Sequence, residues 1–284
     1  AICQGLCAND VVGLQTNRDV INFLQTCDAF LEEAEVDYNQ RIVTNNGQRV
    51  KVNAYPVSID VAGLQRTASS PRVLEYERRL RSHCGEKTIV RVDRTEPSKN
   101  ITRGFKAFDM LLNNHPELVG RIKFLAFLVP SRTHIRQYQR YAEEITELVH
   151  TINEKYRSGE WEPIKVFMEN NYAQAIAGMR LYDVLLVNSV IDGMNLVAKE
   201  GPVVNTRNGV LVLSESAGAY RQLRQGVLPV APADLRETMQ ALYTGLTMSE
   251  EEKKERQATL VRAIEEQDTT DWLYQQLKNL DCIK

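Results

Sequence analysis

No GxGxxG turn and no GxxxxGK[ST] loop occurs in the chain, so the fingerprints of a dehydrogenase or a P-loop NTPase are missing. No run of eighteen apolar residues is present, and the opening Ala1-Ile2-Cys3-Gln4-Gly5 lacks the charged-then-apolar layout of a signal peptide. A membrane span is therefore not expected, and the chain reads as cytoplasmic. Charge of one sign is also lacking. The formal net charge is -2, which gives no reason to expect nucleic acid or an anionic membrane as a partner, and any phosphate site must be local. Five cysteines (Cys3, Cys7, Cys27, Cys84, Cys282) are an odd, scattered set without a CxxC pair, and none of the four histidines stands in a metal spacing. Neither disulfides nor a metal site is expected.

What is present is 284 residues, 43% hydrophobic and 25% charged, enough for one large or two modest globular domains. Ala1 is not an initiator methionine, and Ile2, Leu6 and Ala8 already form part of an apolar helical face. An upstream portion is expected. Val11 to Thr16 reads as a buried strand ending in a turn, Asn17 as a cap for a helix from Arg18 to Phe30, and Arg49 to Ile59 as an alternating strand closed by Pro56. Residues 61–87 are charged and broken by Ser69-Ser70-Pro71, with Pro71 placed to open a helix; this is the candidate crossing between domains. From Thr88 onward strands and helices alternate five times, through Val210 to Leu213 and Ala219 to Arg224. Such a cadence predicts an α/β fold with a parallel sheet and helices on both faces, its ligands bound beyond the carboxyl ends of the strands. After Val230 the chain reads as helical to its end.

Four strand ends carry candidate site residues. After the apolar run Asp183 to Asn188 comes Ser189-Val190-Ile191-Asp192-Gly193-Met194-Asn195-Leu196-Val197-Ala198-Lys199-Glu200. A strand ends there and a helix begins, so unpartnered amides and the positive end of the dipole face outward. Asp192 either caps that helix or faces a ligand, and Glu200 is placed eight residues on, two turns along the same helix, about 12 Å away at 1.5 Å per residue. Arg94 and Lys99 flank Pro97 in the loop after the first strand of the cadence; two cations at one loop suit a diphosphate, or else they pair with Asp93 and Glu96. Pro130-Ser131-Arg132 ends the next strand, and Glu169-Asn170-Asn171 the third.

Asp192-Gly193-Met194-Asn195-Leu196-Val197-Ala198-Lys199-Glu200 resembles, residue for residue, the donor-sugar motif of the trehalose-6-phosphate synthase family, retaining glycosyltransferases of the GT-B fold. Asp10-Val11-Val12-Gly13-Leu14-Gln15-Thr16 and Tyr55-Pro56-Val57-Ser58-Ile59-Asp60 are similar to segments near the end of that family's first Rossmann-like domain. Leu213-Ser214-Glu215-Ser216-Ala217-Gly218-Ala219 is similar to its L-S-(E/Q)-F-A-G-A turn, with Ser216 for Phe, and is read as a packing element. Against the family pattern R-L-D-Y-x-K-G, Arg94 and Lys99 fall on the two diphosphate-binding cations, whereas Thr95-Glu96-Pro97 and Asn100 differ. Arg132 matches the arginine that contacts the acceptor's phosphate. Asn170 lies where the family usually carries a histidine, and Ile191 replaces the usual arginine before Asp192.

The resemblance implies a nucleotide-sugar-dependent glycosyltransferase that moves a glucosyl-like unit from a UDP- or GDP-linked donor to a sugar phosphate with retention, without metal or other cofactor. It implies catalytic roles for Arg94, Lys99 and Asp192. Substrate contacts are implied for Arg132, Asn170, Asp192, Gly193, Met194, Asn195, Leu196 and Glu200, with Glu200 on the ribose and Asp192 on the donor sugar. It further implies that residues 1–75 end the acceptor-side domain, 76–246 form the nucleotide-sugar domain and 247–284 are helices returning to the first. The partners expected are a nucleotide sugar, a sugar phosphate and upstream first-domain residues; a homo-oligomer is left open. Turnover by this stretch alone is not expected. Because the departures gather around the donor pocket, two alternatives stand beside it: a pseudo-glycosyltransferase of the validoxylamine phosphate synthase type, joining a nucleotide-linked cyclitol to an amino-cyclitol phosphate, and a non-catalytic nucleotide-sugar-binding module.

Overall fold

A computed structural model describes residues 1–281, which leaves Cys282 and the last two residues outside the described residues. The chain divides into two compact units, Ala1–Ser58 together with the residues from Gln267 onward, and Ile59–Glu266. These limits differ from the boundaries expected after residues 75 and 246.

In the smaller unit the chain runs α1 (Ile2–Leu6), β1 (Val11–Leu14), α2 (Asn17–Phe30), β2 (Glu35–Asp37), β3 (Ile42–Asn45) and β4 (Gln48–Ala54). The cap of α2 is Thr16 rather than Asn17: its hydroxyl accepts from the Asp19 amide, and the Asp19 carboxylate accepts from the Thr16 amide in return. The sheet has the order β1-β4-β3-β2, with β1 parallel to β4 and the other pairs antiparallel. Sequence reading had missed β2 and β3. Their signal is Asn46-Gly47, both at positive φ (50° and 78°), the backbone that a tight hairpin between β3 and β4 demands. Val20, Leu24 and Cys27 of α2 bury against Val43, Val50 and Val52, an apolar face meeting alternate strand residues.

The larger unit opens with α3 (Val61–Ala68) and α4 (Pro71–Leu80), the latter capped by Ser70 with Pro71 as its first residue. Then follow β5 (Lys87–Arg94), α5 (Ile101–Asn114), β6 (Ile122–Val129), α6 (Arg136–Tyr156), β7 (Ile164–Met168), α7 (Tyr172–Leu181), β8 (Val184–Val187), α8 (Val197–Val204), β9 (Val210–Ser214), α9 (Tyr220–Leu223), β10 (Leu228–Val230), α10 (Leu235–Thr247) and α11 (Glu250–Glu265). All six strands are parallel, in the order β10-β9-β8-β5-β6-β7, so the α/β expectation holds. Strand β10, not expected from the sequence, is short, contains Pro229 and lies at the sheet edge, where proline's missing N–H costs no ladder bond. Helices α5, α6 and α10 cover one face, burying Phe105, Phe108, Leu111 and Leu242 against Ile89, Phe124 and Leu186; α4, α7 and α8 cover the other.

The order β8-β5-β6 matters for function. From β5 the chain winds outward to β6 and β7, then returns past β5 to β8 and onward to β9 and β10. Between β5 and β8 the direction reverses, and the loops leaving those two strands diverge to opposite faces. That is the switch point at which open α/β sheets form a crevice. The last helix, α12 (Thr269–Asp281), belongs to the smaller unit, where Trp272 Nε1 donates to the Tyr55 carbonyl at 3.1 Å.

Candidate functional site

The crevice between β5 and β8 is built on a buried charge pair. Arg91, wholly buried, donates to Asp93 Oδ2 from Nε (3.1 Å) and Nη2 (2.8 Å), and to the carbonyls of Lys99 and Ile101. Burial pushes the Asp93 carboxyl up, against the pull of Arg91. A Cβ on Gly104 would meet Arg91 Nη1 at 2.4 Å, so the first turn of α5 can pass the guanidinium because residue 104 has no side chain. The loop after β5 is thereby held by its own carbonyls.

The same loop is stitched to the loop after β8. Asn100, in the left-handed conformation, donates to the Asn188 and Pro232 carbonyls, and the Val190 amide donates to the Ser98 carbonyl at 2.8 Å. Lys99, which ends the short turn Pro97–Lys99, is thus delivered to Asp192, 2.5 Å from Nζ to Oδ2. The Asp192 carboxylate also accepts from Asn195 Nδ2 at 3.0 Å and from Ser189 Oγ at 3.4 Å. Both charged side chains stay partly open to solvent, 13% for Lys99 and 14% for Asp192.

Asp192 is not a helix cap. Helix α8 begins at Val197, and the side chain that receives its first-turn amide is Asn195, whose Oδ1 accepts from Ala198 N at 3.2 Å. Asn195 sits at φ 69°, a conformation asparagine tolerates better than most residues, and so turns its amide back on Asp192 while capping the helix. The expectation that Asp192 and Glu200 lie two turns apart on one helix is therefore corrected: Asp192 is in the loop, and Glu200 is in the first turn of α8. The loop is held from the far side by the turn after β9, where the Gly218 amide donates to the Asp192 carbonyl (3.0 Å) and the Ala219 amide to the Met194 carbonyl (2.9 Å). A Cβ on Gly218 would stand 2.0 Å from the Gly193 carbonyl oxygen. That closeness is a packing role. Met194 is buried, whereas Gly193 and Leu196 are exposed at the loop's surface.

The remaining expected residues are spread along the strand ends. Arg94, half exposed at the end of β5, pairs with Glu96 Oε1 at 2.8 Å, and Ser131 Oγ donates to the same oxygen. Arg132, at φ 47°, donates to the Tyr138 hydroxyl at 2.7 Å and lies over that ring. Asn170 is exposed in the loop between β7 and α7, while its neighbour Asn171 caps α7 and donates to the Tyr76 hydroxyl. Glu200 accepts from the Tyr172 hydroxyl at 3.2 Å; burial pushes its carboxyl up, and burial with the nearby Glu200 charge pushes the Tyr172 phenol up to about 12. The structure brings together Lys99, Asp192 and Asn195. It gives Arg94 a separate carboxylate on the same loop and sets Arg132 and Asn170 at the ends of neighbouring strands.

The pairing of Arg94 with Glu96 is the alternative that the spacing left open for that cation, whereas three supporting residues had no role in the sequence: Ser131, which donates to Glu96, Ser189, which donates to Asp192, and Tyr172, which donates to Glu200. Ser131 reaches Glu96 across two loops, a pairing that leaves no local pattern. Arg91 and Asp93 did carry a signal, opposite charges two apart in an apolar strand and so on one face of it.

The family model of glycosyltransferase family 20 matches residues 1–282. The chain belongs to that family. Among curated family members it is 33% identical over 277 residues to the UDP-forming α,α-trehalose-phosphate synthase of Pichia angusta, covering 95% of this chain and 57% of that protein. Among solved members, it superposes on a UDP-forming α,α-trehalose-phosphate synthase from Burkholderia xenovorans with TM-score 0.91 at 30% identity, covering 99% of this chain and 63% of that one. A second structure of such an enzyme from the same organism, in complex with glucose-6-phosphate, gives TM-score 0.89 at 27% identity over 99% and 63% of the two chains. This chain thus spans somewhat under two thirds of the length of these family 20 members, and their GT-B fold is the fold expected for it. Among the described residues no helix is long and apolar enough to cross a membrane.

Proposed function

We propose that this chain supplies the nucleotide-sugar side of a retaining glycosyltransferase that moves a glucosyl unit from a UDP-linked donor to a sugar phosphate. The observation that carries the reading is the Lys99–Asp192 pair, seated at the switch point of the sheet and still open to solvent. The relatives' description as UDP-forming trehalose-phosphate synthases, and the glucose-6-phosphate held by one of them, favour this over cyclitol coupling.

In this reading the two cations serve the leaving group. Without ligand each is neutralised by a carboxylate, Lys99 by Asp192 and Arg94 by Glu96. An arriving diphosphate draws both cations to itself. The exchange is cheap on the protein side because each carboxylate keeps another donor, Asn195 and Ser189 for Asp192 and Ser131 for Glu96. Asp192, released from Lys99, then accepts from donor-sugar hydroxyls. As the bond from the anomeric carbon to the diphosphate oxygen breaks and the acceptor hydroxyl oxygen bonds to that carbon, the acceptor's proton passes to the leaving diphosphate, whose charge Lys99 and Arg94 stabilise. Glu200, joined to Tyr172 at the head of α8, holds the ribose hydroxyls, and Arg132 takes the acceptor's phosphate. Asn170 replaces a histidine as a hydrogen-bonding group toward the donor.

The test is the dissociation constant of UDP for the parent, Arg94→Ala and Lys99→Ala proteins. Charge-assisted contacts are worth roughly 1.5–3 kcal/mol, so each substitution should weaken UDP about ten-fold or more. Equal affinities across the three overturn the assignment.

A further inference from the structure

Behind the loop that carries Lys99, on its other side, lies a cavity of about 520 Å3 between the starts of α5 and α6. Its walls include Pro97, Asn100, Arg103, Arg136, Arg140 and Tyr141. Neither Lys99 nor Asp192 lines it, and neither do Arg94, Arg132 or Glu200.

Three guanidinium groups share this space, in a chain whose net charge is -2. Arg136 and Arg140 are one turn apart on α6 and so share a face, and like charges in that relation weaken a helix. Arg103, in the first turn of α5, donates to Asn100 Oδ1 at 3.2 Å. Among the described residues none of the three has a carboxylate within 4 Å, although Glu144 lines the same cavity one turn beyond Arg140. Elsewhere, arginines such as Arg79 and Arg256 each meet a glutamate on their own helix. Three unpaired arginines around one hollow are therefore a local excess of positive charge that a bound anion would relieve. Guanidinium forks match phosphate oxygens in pairs, and the volume falls in the range of small-molecule sites.

We infer that this cavity is a second anion site, which takes a small phosphorylated metabolite on Arg103, Arg136 and Arg140. It is independent of the donor reading, and one experiment separates the two. Inorganic pyrophosphate is titrated by calorimetry into the whole chain, into an Arg136→Ser, Arg140→Ser double variant and into an Arg94→Ala, Lys99→Ala double variant. All four substituted positions are partly or fully at the surface, and a thermal melt of each variant shows that it folds; removal of the two like charges on α6 should leave the melt unchanged or raise it. The expected result is that the α6 double variant loses a binding step, or binds at least ten-fold more weakly at it, while the other double variant keeps that step. If pyrophosphate binding survives in full in the α6 variant, the inference is overturned. If the α6 variant alone loses pyrophosphate, this inference stands and the donor reading fails. A hexaglutamate peptide forms the control arm: binding through Arg136 and Arg140 as tight as that of pyrophosphate would overturn the phosphate assignment in favour of an acidic segment.

Discussion

Arg91–Asp93 and Lys99–Asp192 are both pairs of a cation and a carboxylate, their cations eight positions apart in and just after β5, and their surroundings differ. Around Arg91 little is open to exchange: side-chain exposure is 0% for the arginine and 4% for the aspartate, and the guanidinium also donates to the Lys99 and Ile101 carbonyls. Lys99 meets Asp192 near the surface, with a compact ammonium on a flexible stem and a carboxylate that has two further donors at hand. A planar fork locked by four contacts makes a scaffold. A point charge with one strong contact can be handed to a ligand, and the first pair holds in place the backbone from which the second is presented.

The sharpest way to break that contrast is to remove each cation in turn. Arg91→Met leaves the buried Asp93 carboxyl without its guanidinium partner, so a loss of about 3–5 kcal/mol of unfolding free energy is expected in urea titrations. Lys99→Met should cost about 1 kcal/mol, since Asp192 keeps Asn195 and Ser189, and should instead weaken UDP by ten-fold or more. If the two variants lost equal stability, the distinction between scaffold and exchangeable charge would be gone.

The exchangeable pair also shows where reading the sequence stops. The nine residues from Asp192 to Glu200 pointed to a candidate site, and the alternation of strands and helices pointed to the parallel sheet, because both signals are local. Arg94, Lys99 and Asp192 could be named as candidate site residues, but not that Lys99 would find Asp192 93 positions away. That pairing depends on strand order, with β8 beside β5, which local periodicity does not encode. The hairpin at Asn46-Gly47 was legible and passed over. The role of Asn195 was not, since a cap that also turns back on the preceding carboxylate exists only once the loop has its shape.

A smaller effect sharpens the contrast from the carboxylate's side. Asp192→Asn leaves Lys99 without a charged partner before ligand arrives, so binding of a diphosphate no longer has to break an ion pair. Exposed or partly exposed pairs of this kind are worth up to about 1 kcal/mol, which corresponds to a tightening of UDP by up to about five-fold. A nucleotide sugar should gain less or bind more weakly, because Asp192 is proposed to accept from the sugar. The comparison is made by titrating UDP and UDP-glucose into both proteins; a variant that binds UDP less tightly than the parent would mean that Asp192 does more for the site than hold Lys99 in waiting.

Glu200 offers the smallest expected effect and extends the comparison to a carboxylate met by a phenol. Burial pushes its carboxyl up in the folded chain, and the bond from Tyr172 pulls less strongly the other way. With the folded value above the unfolded one, near 4.3, the folded state holds its proton longer. Stability contributed by this group is therefore complete below the unfolded value and is lost as pH rises through the folded value. Glutamine has no proton to lose and can still accept from Tyr172. Glu200→Gln should thus match the parent near pH 4 and become the more stable of the two towards neutrality, by less than about 1 kcal/mol because the group is partly open to water. The same substitution should weaken UDP and UDP-glucose alike, since a ribose contact is common to both ligands. Urea titrations at pH 4 and pH 7, beside calorimetry at neutral pH, read both effects. A stability gap that does not widen with pH would show that Glu200 carries no burial cost, and unchanged affinities would remove it from the site.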